Sequence, residues 1–254
     1  MTLGHAIFIL VASLFAGALN AIAGGGSFIS FPALLVTGIP PIPANATNTI
    51  AMWTGAAAST GAYRRQLNIP TRVMAPLVAS SVVGGLIGAV LLLRTPAHTF
   101  LRMLPWLMLA ATLLFTFGKK LARARTSSVG HETTTRAIVL ATAFELVVAI
   151  YGGYFGAGMG FVILAMLALI GMTDIHAMNA LKTVLSSTTN GLAVIAFIVA
   201  KAIYWPQALV MIAGAIVGGY FGAHYAQRLP QQWVRVAVIC IGASMTIYFF
   251  LRAY

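Results

Sequence analysis

Ala23-Gly24-Gly25-Gly26-Ser27-Phe28, followed after a short apolar run by Asn45-Ala46-Thr47-Asn48-Thr49, is the stretch that decides how this chain is read. A second version stands at Phe155-Gly156-Ala157-Gly158-Met159-Gly160-Phe161, followed by Asn179-Ala180-Leu181-Lys182-Thr183. Each copy interrupts a long apolar stretch and leads into a short one that ends near a glycine, Gly38 or Gly171. Backbone that leaves the helix inside a bilayer must find partners in protein, water or ligand. Matching glycine-broken segments in two halves therefore point to a transport site.

Composition supports the membrane. The 254 residues are 60% hydrophobic and 7% charged, with mean hydropathy +0.96, whereas soluble domains carry roughly 25% charged residues. A β-barrel needs short alternating strands, and this chain has unbroken apolar runs instead. The net charge of +12 would suggest nucleic acid in a soluble protein. Here the basic residues cluster between apolar runs, where membrane orientation accounts for them, and nucleic acid is not expected as a partner. Cys240 is the single cysteine, so neither a disulfide framework nor a thiolate metal site is expected. Ala21-Ile22-Ala23 looks like a signal cleavage site, but no basic segment precedes it, and residues 5–23 read as a first membrane helix.

Apolar segments fall at about 5–23, 27–38, 45–63, 72–93, 99–118, 136–152, 158–171, 176–200, 206–226 and 232–252. A span takes about 20 residues, so the second and seventh segments are half-length. Pro40, Pro41 and Pro43 forbid one helix running from the second into the third. The fold class predicted is an all-α integral membrane protein of two homologous repeats, each of four to five helices with a short broken or re-entrant segment. The repeats are residues 1–118 and 136–254, joined by a cytoplasmic basic linker, 119–135.

An offset of 134 positions aligns Asn45-Ala46-x-x-Thr49 with Asn179-Ala180-x-x-Thr183 and Val83-Gly84-Gly85-x-x-Gly88-Ala89 with Val217-Gly218-Gly219-x-x-Gly222-Ala223. Lys119, Lys120, Arg123, Arg125 and Arg136 mark the central connection as cytoplasmic, and Arg64, Arg65 and Arg72 agree. Ten crossings give inverted repeats and eight give parallel ones. The charge count fits both.

Several residues carry chemistry. Gly24, Gly25, Gly26 and Ser27 open a short helix, and Gly156, Gly158 and Gly160 repeat the device. Exposed N–H groups at a helix N-terminus attract anions, although the same glycines serve equally as hinges. Asn45, Asn48 and Thr49 share one helical face, as do Asn179, Lys182 and Thr183, with Asn190 further along. Amide, hydroxyl and ammonium donors suit an oxyanion. Asn45 reads better as a helix N-cap, and Lys182 as either a ligand or a snorkelling lysine. The ladders Ser80, Gly84, Gly88 and Gly214, Gly218, Gly222 read as close helix packing. Glu145 lies inside an apolar run, where an acid is a proton-coupling candidate or a hydrogen-bonded structural group. No HExxH, phosphate loop or dinucleotide fingerprint occurs, so no catalytic residue, metal ligand or cofactor is expected.

The segments Leu19-Asn20-Ala21-Ile22-Ala23-Gly24-Gly25-Gly26-Ser27-Phe28, Phe31-Pro32-Ala33-Leu34-Leu35, Pro41-Ile42-Pro43-Ala44-Asn45-Ala46-Thr47-Asn48-Thr49, Asn179-Ala180-Leu181-Lys182-Thr183 and Gly218-Gly219-Tyr220-Phe221-Gly222-Ala223 resemble the sulfite exporter TauE/SafE family. The resemblance implies a multi-pass protein of the bacterial inner membrane that moves small sulfur-containing anions such as sulfite, sulfoacetate or other sulfonates. Leu181-Lys182 stand where the first half has Thr47-Asn48, so the site is expected to be asymmetric. The expected partners are a small anion and the lipid bilayer, and a homo-oligomer is compatible with the pattern. A passive anion channel and a non-transporting accessory protein are the rival readings.

Overall fold

The computed structural model describes residues 1–23, 25–63, 69–125, 135–170, 172, 175–225 and 231–253. These residues form helices without any strand: α1 (Leu3–Ala23), α2 (Ser27–Val36), α3 (Pro41–Tyr63), α4 (Thr71–Arg94), α5 (Ala97–Arg125), α6 (Thr135–Tyr154), α7 (Met159–Leu169), α8 (Ile175–Val199), α9 (Trp205–Tyr225) and α10 (Gln231–Ala253). Segments of α1, α4, α6, α8 and α9 are long and apolar enough to cross a membrane. The short helices α2 and α7 have 10 and 11 residues, which at 1.5 Å per residue is about half the ~30 Å hydrocarbon thickness.

Local chemistry sets these boundaries. Gly38 ends α2 in the left-handed region at φ 86°, with its N–H on Leu35 O and that of Ile39 on Leu34 O. This is the paired bonding that satisfies a helix's last carbonyls. Pro41 and Pro43 then sit in the first turn of α3, where proline's missing N–H is no loss.

That earlier start corrects the reading of Asn45 as an N-cap. Asn45 lies inside α3, buried, with its amide donating to Tyr154 O at 3.1 Å. Helix α5 continues through residues 119–125, so the polar connection between the halves begins as helix; lysine, arginine, alanine and leucine all favour helix there. Gly24, Arg64, Arg65, Glu132, Gly171, Asp174 and Arg228 lie outside the described residues.

Helix contacts pair off between the two halves. α1 packs on α9 as α6 packs on α4, and α3 packs on α9 as α8 packs on α4. The glycine ladders make the first of these pairings possible. A Cβ on Gly218 would stand 1.9 Å from Leu14 O, and one on Gly84 would stand 2.8 Å from Leu146 O. Gly222 meets Ala18 in the same way that Gly88 meets Ile150. The opposite faces, with Val83, Leu86, Ile87 and Leu91 on α4 and Ile216, Val217, Tyr220 and Phe221 on α9, are exposed and apolar, as a lipid-facing surface requires.

Helices α3 and α8 cross antiparallel. Thr47, early in α3, accepts the N–H of Tyr204 just beyond α8, while Trp53 donates to Ser187 O in mid-α8. The core around α2, α3 and the end of α6 is aromatic, with Phe31 edge-on to Phe155 at 5.7 Å and Phe100 beside Phe155 at 6.3 Å. The core around α7 and the start of α8 is built from methionine and aliphatic side chains, Met159, Met166, Met178, Leu181 and Leu185 among them.

Candidate functional site

The two glycine breaks are the tips of helical hairpins. Helix α2 doubles back along α1 so closely that a Cβ on Gly26 would lie 2.3 Å from Ala16 O. Helix α7 doubles back on α6, and a Cβ on Gly152 would meet Met159 Sδ at 2.0 Å. Gly156 and Gly158 both adopt φ 76°, which makes the second turn one that L side chains rarely follow.

The two tips meet at one cavity of about 50 Å³. Ser27 comes from the first hairpin and Gly156 and Gly160 from the second. Helix α8 supplies Lys182, Ser186 and Asn190, which recur every four residues and so share one face. The expectation that the breaks would face each other is met in this cavity. Asn190 Oδ1 lies beside Gly156, 3.9 Å from where a Cβ would sit.

Lys182 is only 6% exposed. Among the described residues no carboxylate lies within ion-pair distance of it, and the chain has only three acids in all. A buried ammonium without a counter-charge is costly to hold.

Other expected ligands fall elsewhere. Asn48 does not reach the cavity. Its amide donates to Ser27 Oγ at 3.1 Å, and its Oδ1 accepts from Ser30 Oγ. It thereby fixes the first turn of α2 to α3, one layer behind Ser27. Thr49 Oγ1 donates back to Asn45 O on its own helix, the usual fate of a threonine facing the preceding turn. Gly158 packs toward Ala111 rather than the cavity. The N–H of Gly156 is engaged by Tyr151 O at 3.2 Å and that of Met159 by Gly156 O, so the second tip offers fewer free donors than its glycine count suggests. Gly25 and Gly26 are buried beside Ser27, and hydrogen bonding of α2 begins one residue later, with Phe28 N–H on Gly25 O.

Asn20, Met52 and Ser186 line the cavity without having been singled out as ligands. Ser186 was legible from its four-residue spacing between Lys182 and Asn190. Asn20 and Met52 arrive from α1 and α3, and no spacing within one helix signals them.

Asn48→Ala is expected to lower the stability of the purified protein by about 1–3 kcal/mol, because the half-buried Ser27 hydroxyl and the buried Ser30 hydroxyl each lose a hydrogen-bond partner. A thermal unfolding scan in detergent reads this directly. Thr49→Val, which removes only a bond within α3, serves as the comparison with a smaller effect.

Glu145 is fully buried at the contact of α6 with α4, where Ser81 Oγ donates to its Oε1 at 2.7 Å. Its Oε2 has no partner among the described residues.

A buried cation facing a cavity between broken helices, inside a bundle with a lipid-facing apolar surface, places this protein among the polytopic membrane transporters. The family comparison makes that specific: the chain belongs to the sulfite exporter TauE/SafE family, whose model matches residues 9–249. It is similar to proteins named "probable membrane transporter protein" in several bacteria. The Sinorhizobium protein ORF9 is 27% identical, covering 94% of this chain and 90% of its relative. A Haemophilus influenzae protein is 30% identical over 90% and 88% of the two chains. The Escherichia coli K12 protein YfcA is 28% identical over 92% and 85%. No solved structure matches the chain. As with bacterial transporters of this kind, it is a multi-pass protein of the inner membrane.

Proposed function

We propose that this protein is a secondary transporter, not an enzyme, that carries a small sulfur oxyanion such as sulfite outward across the inner membrane. The observation that carries this reading is Lys182, buried without a carboxylate among the described residues and facing the cavity at the meeting of two hairpin tips. The ammonium of Lys182, the hydroxyls of Ser27 and Ser186 and the amides of Asn20 and Asn190 offer donors to each oxygen of a trigonal or tetrahedral oxyanion.

Size favours the small end of the substrate class. A water-sized centre needs about 10–15 Å³, so a cavity of about 50 Å³ admits four or so such centres. Sulfite fills that space, and an aromatic sulfonate exceeds it.

The antiparallel crossing of α3 and α8 supports inverted repeats. Trp53 and Ser187, which bond to each other, stand 134 positions apart, the repeat offset itself. Each therefore occupies its partner's place in the other half, as at a two-fold axis lying in the membrane plane. On that reading α2 and α7 enter from opposite faces. Ten of the fifteen Lys and Arg residues then fall on the side of the α3–α4, α5–α6 and α9–α10 connections. That side is cytoplasmic by the positive-inside rule.

Efflux of labelled sulfite from proteoliposomes tests the proposal, with sulfoacetate, taurine and toluenesulfonate as competitors. Sulfite is expected to move and toluenesulfonate to compete weakly. Flux that ignores pH and ion gradients would make the protein a channel, and absence of flux for all four would make it an accessory protein.

A further inference from the structure

We infer that Glu145 carries a coupling proton, bound on Oε2, and that proton and anion travel in the same direction. The inference rests on the transport reading above and assigns its coupling residue. Glu145 is completely buried, with Oε1 occupied by the Ser81 hydroxyl and Oε2 unpartnered among the described residues. A carboxyl in such a place holds a proton rather than anchoring an ion pair.

The groups around it are few. From α4, Ser81 faces the carboxyl, and the charges of that helix stand at its ends, Arg72 bonded to Thr135 and Arg94 exposed. Helix α7 has no titratable side chain in Met159–Leu169. Among the described side chains of α8, the titratable group is Lys182, on the cavity. On α6 itself are Arg136 at its exposed start, Tyr151, whose hydroxyl donates to Ala157 O, and Tyr154, whose hydroxyl donates to Thr95 Oγ1. None of them neutralises Glu145 within ion-pair distance.

Two features tie this carboxyl to the transport cycle. The glycine ladder of α4 presses on α6 in the turns that directly follow it, with Gly84 against Leu146 and Gly88 against Ile150. The same α6 ends at Tyr154, two residues before Gly156 on the cavity wall. The matching contact of α1 with α9 carries Ser13 against Gly214 and no Asp or Glu, so only one of the two equivalent helix pairs holds a carboxyl.

The step is an acid–base equilibrium: Glu145 carboxylate plus one proton gives the neutral acid, with the new O–H on Oε2. The sign of coupling follows from charge. Gly156 on the cavity wall follows Glu145 by eleven residues, nine of them along α6, which puts the two about 16 Å apart. At that separation and an effective dielectric of about 20, a carboxylate and a bound monoanion repel enough to weaken each other's binding about fivefold. Protonation removes the repulsion, so loaded carrier is protonated carrier. One proton moving with a monovalent anion cancels the charge carried, and efflux then follows the concentration and pH gradients rather than the membrane potential.

Labelled sulfite in proteoliposomes is the probe. Wild-type protein is expected to show efflux that slows as the outside is acidified, and proton uptake when sulfite is added to lightly buffered detergent-purified protein. Glu145→Gln keeps a hydrogen-bond acceptor for Ser81 and cannot titrate. It is expected to retain sulfite–sulfite exchange while losing both the pH response and the proton uptake. Glu145→Gln with a wild-type pH response overturns the inference, as does joint loss of exchange and binding in a well-folded variant. Should that variant fail to fold, Ser81→Ala keeps the carboxyl and removes its donor. A shift in the midpoint of the pH profile is then expected, and an unmoved midpoint refutes the role. No sulfite flux in the wild type overturns the transport reading and this inference with it, whereas pH-insensitive flux overturns this inference alone.

Discussion

Lys182→Met is expected to weaken sulfite binding about ten- to hundredfold and to leave the fold intact. One charge-assisted hydrogen bond in a water-poor site contributes roughly 1.5–3 kcal/mol, and the ammonium supplies the one full positive charge on the cavity. Stability should not fall, because methionine fills a similar volume without burying a charge that has no carboxylate partner among the described residues. Calorimetry or scintillation proximity with labelled sulfite reads affinity on purified variant with an unchanged gel-filtration profile. Lys182→Arg is the companion. It keeps the charge but brings a larger planar head into a cavity of about 50 Å³, and an intermediate loss is expected. Wild-type affinity in Lys182→Met would remove this side chain from the site and leave the hairpin tips as hinges.

Gly88→Leu should do the opposite, destroying the fold while touching no cavity residue. A Cβ at Gly88 would stand 2.1 Å from Ile150 O and 2.7 Å from Tyr154 N, both backbone atoms that cannot turn aside. Helices α4 and α6 would have to separate along their whole contact, and that contact also positions Glu145 and the cavity-forming end of α6. Overpacking of a tight core costs typically 1–3 kcal/mol and more where backbone must move, so a loss of about 3 kcal/mol or more is expected. The measurement is the monodisperse fraction on size exclusion together with the thermal midpoint. Gly4→Leu, with nothing within 4 Å of its Cβ position, is the control that should behave as wild type.

Signals that repeat along the chain were legible in the sequence, and contacts between distant segments were not. The glycine ladders, the two breaks and the half-length helices announce themselves by spacing, and the structure uses them as close contacts and hairpin tips. Ser27, Gly156, Gly160, Lys182 and Asn190 were picked out for their chemistry and converge on one cavity.

Asn48 carried the same chemical signal, yet its amide is consumed by Ser27 and Ser30. Amide donors suit a ligand and a neighbouring helix equally, and only the fold chooses between them. Asn45 was misread because prolines at 41 and 43 look like helix breakers, although a first turn accepts them. The choice between eight and ten crossings could not be made from charges. Evidence on that choice comes from a bond between α3 and α8, Trp53 to Ser187, which no local pattern predicts.

The pairing of α1 with α9 has a consequence for how the protein is made. Leu14 waits for Gly218, and Ala18 for Gly222, so α1 leaves the ribosome about 200 residues before its main partner. At about 5–20 residues per second, roughly 200 intervening residues take some 10–40 s to synthesise. During that time the exposed backbone of a glycine-tipped hairpin and the small-residue face of α1 must be shielded by lipid or by the insertion machinery. Separating the halves onto two chains should therefore yield little folded material from either alone, and the bundle should assemble only when both are inserted into the same membrane.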